Sequence, residues 1–217
     1  MQRPGDDHLL WREIDSRPVY DAKIFTVRMS RRAAPDGREV EYTLVDSPDW
    51  CNVIAPVRRS DGTECLVLAR QYRQGAQRIT VEFPGGLVDD YEAPETAARR
   101  ELEEETGYTA ERLELIGRVN PNPAYMANTA FTFLAHGARR DSAQRLDENE
   151  LVDVALVPAG ELLDLVPPDF HVHAVMMSAL HWFRLYLADG LGYEARVDRW
   201  RRSGPIGYNR PSGGGSV

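Results

Sequence analysis

Residues 82–108 read EFPGGLVDDYEAPETAARRELEEETGY, and Glu101, Glu103, Glu104 and Glu105 crowd four carboxylates into five consecutive positions. Like charges one turn apart repel, so such a cluster persists when water solvates it or when a cation sits among it. The pattern around it is helical. Pro94 suits a first turn, Ala97, Ala98 and Leu102 form an apolar stripe, and Gly107 supplies a stop. At 3.6 residues per turn, Glu101, Glu104 and Glu105 share one face, Leu102 points toward a core and Glu103 toward solvent. Three carboxylates on one face form a hard-oxygen set suited to Mg²⁺, with Mn²⁺ as a substitute. The preceding Gly85-Gly86 pair lets the backbone come close and offers the Gly85 carbonyl as a further ligand. Without a metal, such a cluster is expected to have raised carboxylate pKa values.

Upstream the period is two. IFTVRM and REVEYTLV flank AAPDG, which predicts an antiparallel hairpin within 19–48. CNVIAPV and ECLVLARQYR flank RRSDGT and predict a second pair, followed by the short strand RITVEF. Downstream, 111–119, 129–136 and 151–157 read as strands. PAGELLDLV reads as a short helix and HVHAVMMSALHWFRLYLAD as a longer one with a broad apolar face. The Gly-, Ser- and Pro-rich end predicts a mobile tail over 201–217. The organisation expected is an N-terminal β-hairpin region over 1–48, a main domain over 49–200, and that tail.

Composition narrows the partners. The chain has 217 residues, 42% of them apolar, and 34 acidic against 26 basic side chains give a net charge of −8, which argues against general nucleic-acid binding. A small phosphate-bearing ligand stays compatible, because a bound cation reverses the local charge. With no apolar signal segment and no membrane-length apolar run, the expected location is the cytoplasm, with Cys51 and Cys65 as reduced thiols.

The full spacing is more specific than the acidic cluster. Gly86, five residues, Glu92, seven residues, Arg100-Glu101, Leu102, one residue, Glu104-Glu105, one residue, Gly107 and Tyr108 form a complete Nudix box, and the sequence resembles the Nudix hydrolase family. The resemblance implies an α/β/α sandwich with a mixed sheet, plus a small N-terminal antiparallel sheet. It also implies metal-dependent hydrolysis of a nucleoside diphosphate linked to another group. It makes Glu101, Glu104 and Glu105 metal ligands and Arg100–Glu92 an ion pair holding the loop to the helix.

The flanks, QYR at 71–73 and EFPGG at 82–86, resemble the ADP-ribose and nucleoside-diphosphate-sugar pyrophosphatase branch. That likeness gives Arg73 a substrate phosphate, and Glu82 either the terminal sugar or the orienting of the loop. Pro123, fifteen residues after Tyr108, resembles a marker proline of the branch, and the likeness makes it substrate-binding. The Ala-Tyr-Met-Ala-Asn that follows departs from a Ser-Pro-Gly-like loop and leaves several nucleotide sugars open.

In LDENELVDV the resemblance places Glu148 as proton acceptor and Glu150 as an extra metal contact or its substitute; together with Glu104 these are the carboxylates nearest the chemistry. Trp50, Tyr20, Phe25 and Tyr72 are candidates to stack on a base. His171, His173 and His181 read as structural or surface residues. The branch also implies a homodimer with an exchanged N-terminal strand. The readings that compete are the same chemistry on a dinucleotide cofactor, a dinucleoside polyphosphate or a nucleoside triphosphate, and a nucleotide sensor without catalysis.

Overall fold

A computed structural model of the chain describes residues 5–171 and 173–203. Three strands open it: β1 (Arg12–Asp21), β2 (Thr26–Ala33) and β3 (Glu39–Asp46), in one antiparallel sheet ordered β1-β2-β3. The expected hairpin is present as β2 and β3, but the sheet gains a strand. Charge hid it: REIDSRPVYD lacks an apolar alternation, and cross-strand ion pairs hold it, such as Asp15 with Arg31 at 2.7 Å.

The central layer is built from β4 (Trp50–Ile54), β5 (Pro56–Arg58), β6 (Glu64–Arg73) and β7 (Arg78–Glu82). After α1 (Pro94–Thr106) and β8 (Tyr108–Thr109), it adds β9 (Arg112–Val119), β10 (Ala130–His136), β11 (Arg139–Arg140) and β12 (Val152–Pro158). One sheet is ordered β4-β10-β9, with β4 and β10 parallel; another is ordered β12-β6-β5, with β7 on β6. The expected second hairpin is therefore half right. Pro56–Arg58 pairs with β6, but residues 50–54 leave their neighbour in sequence and run beside β10. Four of those five residues are buried, as suits a strand covered on both faces.

α2 (Ala159–Leu165), α3 (Pro168–His171), α4 (Ala174–Asp189) and α5 (Tyr193–Ser203) complete the chain. Strand alternation divides the core. Cys51, Val53, Val67 and Phe133 face α1 with Ala97, Ala98 and Leu102, whereas Ile54, Leu66, Leu68 and Leu134 face Phe170, Met176, Ala179 and Leu180. Helices thus cover both faces of the strands, giving the α/β/α sandwich. α5 was not expected from the sequence and takes in residues 201–203 of the predicted tail; residues 204–217 of that tail lie outside the described residues. No helix among the described residues is long and apolar enough to cross a membrane. Cys51 and Cys65 are free and buried, as expected.

Candidate active site

The loop after β7 is stitched to β4. Val53 N–H donates to the Pro84 carbonyl and Cys51 N–H to that of Gly86, each at 2.9 Å, so Gly85 is the alternate residue between them. A Cβ on Gly85 would meet the Cys51 carbonyl oxygen at 2.1 Å, and one on Gly86 would meet Glu101 Oε1 at 2.5 Å. Two bare residues therefore let the loop lie between the strand and the acidic face of α1. That helix starts with Pro94 and ends at Gly107, whose left-handed φ of 73° lets its N–H reach the Glu103 carbonyl.

Glu101 and Glu105 are withdrawn from water, while Glu104 is partly exposed. Glu105 accepts the Gly85 N–H at 2.8 Å. Its pKa is pushed up to about 8, first by burial and then by the charges of Glu101 and Glu150, against the opposing Gly85 bond. Burial also raises Glu101, against the pull of Arg100. Arg100 grips Glu92 through two bonds of 3.0 and 3.2 Å, the expected ion pair, and also donates to Glu101 at 2.8 Å and Glu104 at 3.2 Å. As the side chains stand, no three His, Cys, Asp or Glu among the described residues are gathered as a ready ion cage. The donor chemistry still fits a hard divalent cation: the buried Glu105 at Gly85 and the half-buried Glu101 at Gly86 lie on one wall, where desolvation disfavours the charge of both.

Gly85, Gly86, Arg100, Glu101 and Glu105 line a cavity of about 910 Å³; Glu104 is not on its wall. Arg73, at the end of β6, is also on its wall and is held by Glu82, with bonds of 2.9 and 2.6 Å. Glu82 is 1% exposed and takes a further bond from Thr80 at 2.5 Å, while His173 Nε2 lies 3.7 Å away. Burial pushes the Glu82 carboxyl up, but the bonds and charge of Arg73, with the Thr80 bond and His173, together hold the group below its ordinary value. Glu82 thus sits against Arg73 and Thr80. His173, read from sequence as structural, is a cavity residue at the start of α4. Its spacing gave no signal, because the fold alone brings it to Glu82.

Trp50, Phe25 and Tyr72 lie on the cavity wall; Tyr20 is exposed and is not among the lining residues. Pro123 is exposed beside a separate groove of about 320 Å³ against the N-terminal sheet, and Met126 of the same loop lines both that groove and the main cavity. The loop bends at Met126, whose carbonyl accepts from Asn120 and whose neighbour Tyr125 bonds Val45 N–H through its carbonyl. In the second acidic segment, Glu150 and Asp147 are on the wall and Glu148 is not. A tight turn decides this: Glu150 N–H donates to the Asp147 carbonyl at 3.0 Å and Asp147 N–H to the Glu150 carboxylate at 3.2 Å.

An α/β/α sandwich thus carries an acidic helix, a glycine loop threaded against it and an arginine on the wall of the same cavity. The NUDIX domain model matches residues 51–180, and the chain belongs to that family. It is 30% identical over 154 residues to an ADP-ribose pyrophosphatase of Bacillus subtilis (strain 168), covering 70% of this chain and 81% of that one. It is 33% identical over 123 residues to an ADP-sugar pyrophosphatase of Mus musculus, covering 54% of this chain and 56% of that one. A crystal structure of an ADP compounds hydrolase superposes with a TM-score of 0.71 at 26% identity, covering 82% of this chain and 94% of that chain.

Proposed function

We propose that this chain hydrolyses the diphosphate of ADP-ribose or another nucleoside-diphosphate sugar, releasing a nucleoside monophosphate and a sugar phosphate. The observation that supports the reading is the pairing, in one cavity, of the buried Glu105 and the half-buried Glu101 with the guanidinium of Arg73. A diphosphate fits between them only when positive charge covers the carboxylates. Glu101, Glu104, Glu105 and the Gly85 carbonyl are the groups that would hold Mg²⁺ or Mn²⁺. When bound, such an ion supplies charge neutralisation of phosphate oxygens and acidifies water.

The protein's own groups do the rest. Arg73, pre-aimed by Glu82, binds a phosphate oxygen and offsets the negative charge that would repel the incoming lone pair. Glu150, on the wall, is favoured over Glu148 to take the proton of the attacking water. Ile24, Phe25 and Tyr72 offer apolar and aromatic faces for a nucleobase at the end toward the N-terminal sheet. Val19, Tyr20 and Ile24 are exposed on and beside β1, and we infer that a second copy of the chain covers them in a homodimer.

The test is a substrate panel with Mg²⁺: ADP-ribose, other nucleotide sugars, NADH and nucleoside triphosphates, with products resolved. Nucleotide sugars are expected to yield a monophosphate and a sugar phosphate. Turnover confined to triphosphates refutes the substrate class.

A further inference from the structure

His173 holds the N-cap position of α4, where a short hydroxyl, amide or carboxylate side chain would bond the first backbone N–H groups, yet its imidazole makes no such cap. Nor does the ring hydrogen-bond any other of the described residues; Glu82, its nearest charged neighbour, stands 3.7 Å away. The side chain is 28% exposed and lies on the cavity wall with Val175 and Met176 of the same helix. An imidazole used by neither the helix end nor the core keeps its N–H for a ligand.

Two distances place that N–H. His173 Nε2 is 3.7 Å from Glu82 Oε2, too far for a hydrogen bond, and the same oxygen accepts from Arg73 Nη2 at 2.6 Å. The two nitrogens therefore share one patch of wall, no further apart than those two lengths allow, a gap that the oxygens of a single phosphate group span. The acceptor in this patch is largely used: Glu82 already takes two bonds from Arg73 and one from Thr80. What remains on offer is N–H, from the other guanidinium hydrogens of Arg73 and from the ring of His173. Burial holds the His173 pKa below its ordinary value against the charge of Glu82, so at neutral pH the ring is uncharged and carries one donor. A wall that presents mainly donors beside a balanced ion pair suits phosphate oxygens, which only accept, over a hydroxyl, which must also donate.

We propose that His173 is a substrate-binding residue whose imidazole, together with Arg73, holds one phosphate group of the diphosphate. This rests on the reading of the cavity as a nucleoside-diphosphate-sugar site. Glu82 anchors the arrangement: it fixes the guanidinium by two bonds and leaves the imidazole unbonded until phosphate oxygens arrive.

The test uses two ligands with Mg²⁺: ADP-ribose with a methylene carbon in place of the bridging diphosphate oxygen, which cannot be hydrolysed there, and methylenediphosphonate, which lacks both base and sugar. Full-length wild type, His173→Gln and His173→Phe are compared for Kd. His173→Phe is expected to bind both ligands about 10-fold or more weakly, the loss of a hydrogen bond to a charged group, whereas His173→Gln, which keeps an N–H donor, should lose less than about 3-fold. In wild type, the His173 ring resonances, assigned by their absence from His173→Gln, should shift on adding methylenediphosphonate alone. Unmoved resonances at saturation, or wild-type affinity of His173→Phe for the diphosphonate, overturn the proposal. A loss confined to the ADP-ribose analogue overturns it too, and moves His173 to the sugar or the base. Wild type that binds both ligands but does not cleave ADP-ribose refutes the functional reading instead, and the diphosphonate results then still decide for or against His173.

Discussion

Replacing Glu105 by glutamine removes a charge while keeping an oxygen that can accept the Gly85 N–H, now bonded at 2.8 Å. In the metal-free protein burial lifts the Glu105 pKa to about 8 from an ordinary 4.5. A folded-state value above the unfolded one means that folding favours the protonated acid. The stabilisation is fully present below pH 4.5 and is lost as the pH rises through about 8. At about 1.36 kcal/mol per pH unit, this one group costs the metal-free protein about 3 kcal/mol between pH 6 and pH 9. Glutamine cannot ionise, so the variant lacks that slope. Denaturant unfolding in EDTA at several pH values should show wild type losing stability on the alkaline side and Glu105→Gln losing about 3 kcal/mol less. Adding Mg²⁺ or Mn²⁺ at about 100 times its Kd should return about 2.7 kcal/mol to wild type and much less to the variant. Parallel pH profiles for the two proteins would refute the burial argument, and equal stabilisation by the cation would refute the ligand assignment.

Other perturbations probe the rest of the site. Glu82→Gln leaves Arg73 without its bidentate partner and should cost about 3 kcal/mol in unfolding free energy, as well as raising KM more than it lowers kcat. An unchanged melting temperature would contradict the pairing. Gly85→Ala forces a methyl group to within 2.1 Å of the Cys51 carbonyl, so the loop must lift from β4; a loss of about 2 kcal/mol or more and most of the activity is expected. Glu150→Gln should lower kcat at least about 100-fold, while Glu148→Gln, off the cavity wall, should change it less than about 3-fold; the reverse order would return the proton-accepting role to Glu148. Sedimentation should give a dimer that Tyr20→Asp together with Ile24→Asp converts to monomer, and a monomeric wild type would refute the role of the exposed N-terminal patch.

The sequence by itself determined the acidic helix, because every one of its signals is local. Pro94, the Ala97, Ala98 and Leu102 stripe, Gly107 and the Arg100–Glu92 pair act within a few turns, and the 3.6-residue period puts Glu101 and Glu105 on one face. The turn residues at Asp36-Gly37 and Asp61-Gly62 likewise announced the bends between β2 and β3 and between β5 and β6.

Tertiary structure decided what depends on distant partners. β4 left its sequence neighbour for β10 because a strand buried on both faces is placed by what packs against it. β1 carried no apolar pattern because its register is held by ion pairs across the sheet. Glu150 reached the cavity and Glu148 did not because one turn of backbone hydrogen bonds set their directions. His173 and Asn52 became cavity residues for a like reason: no spacing along the chain encodes a wall made where many separate segments meet.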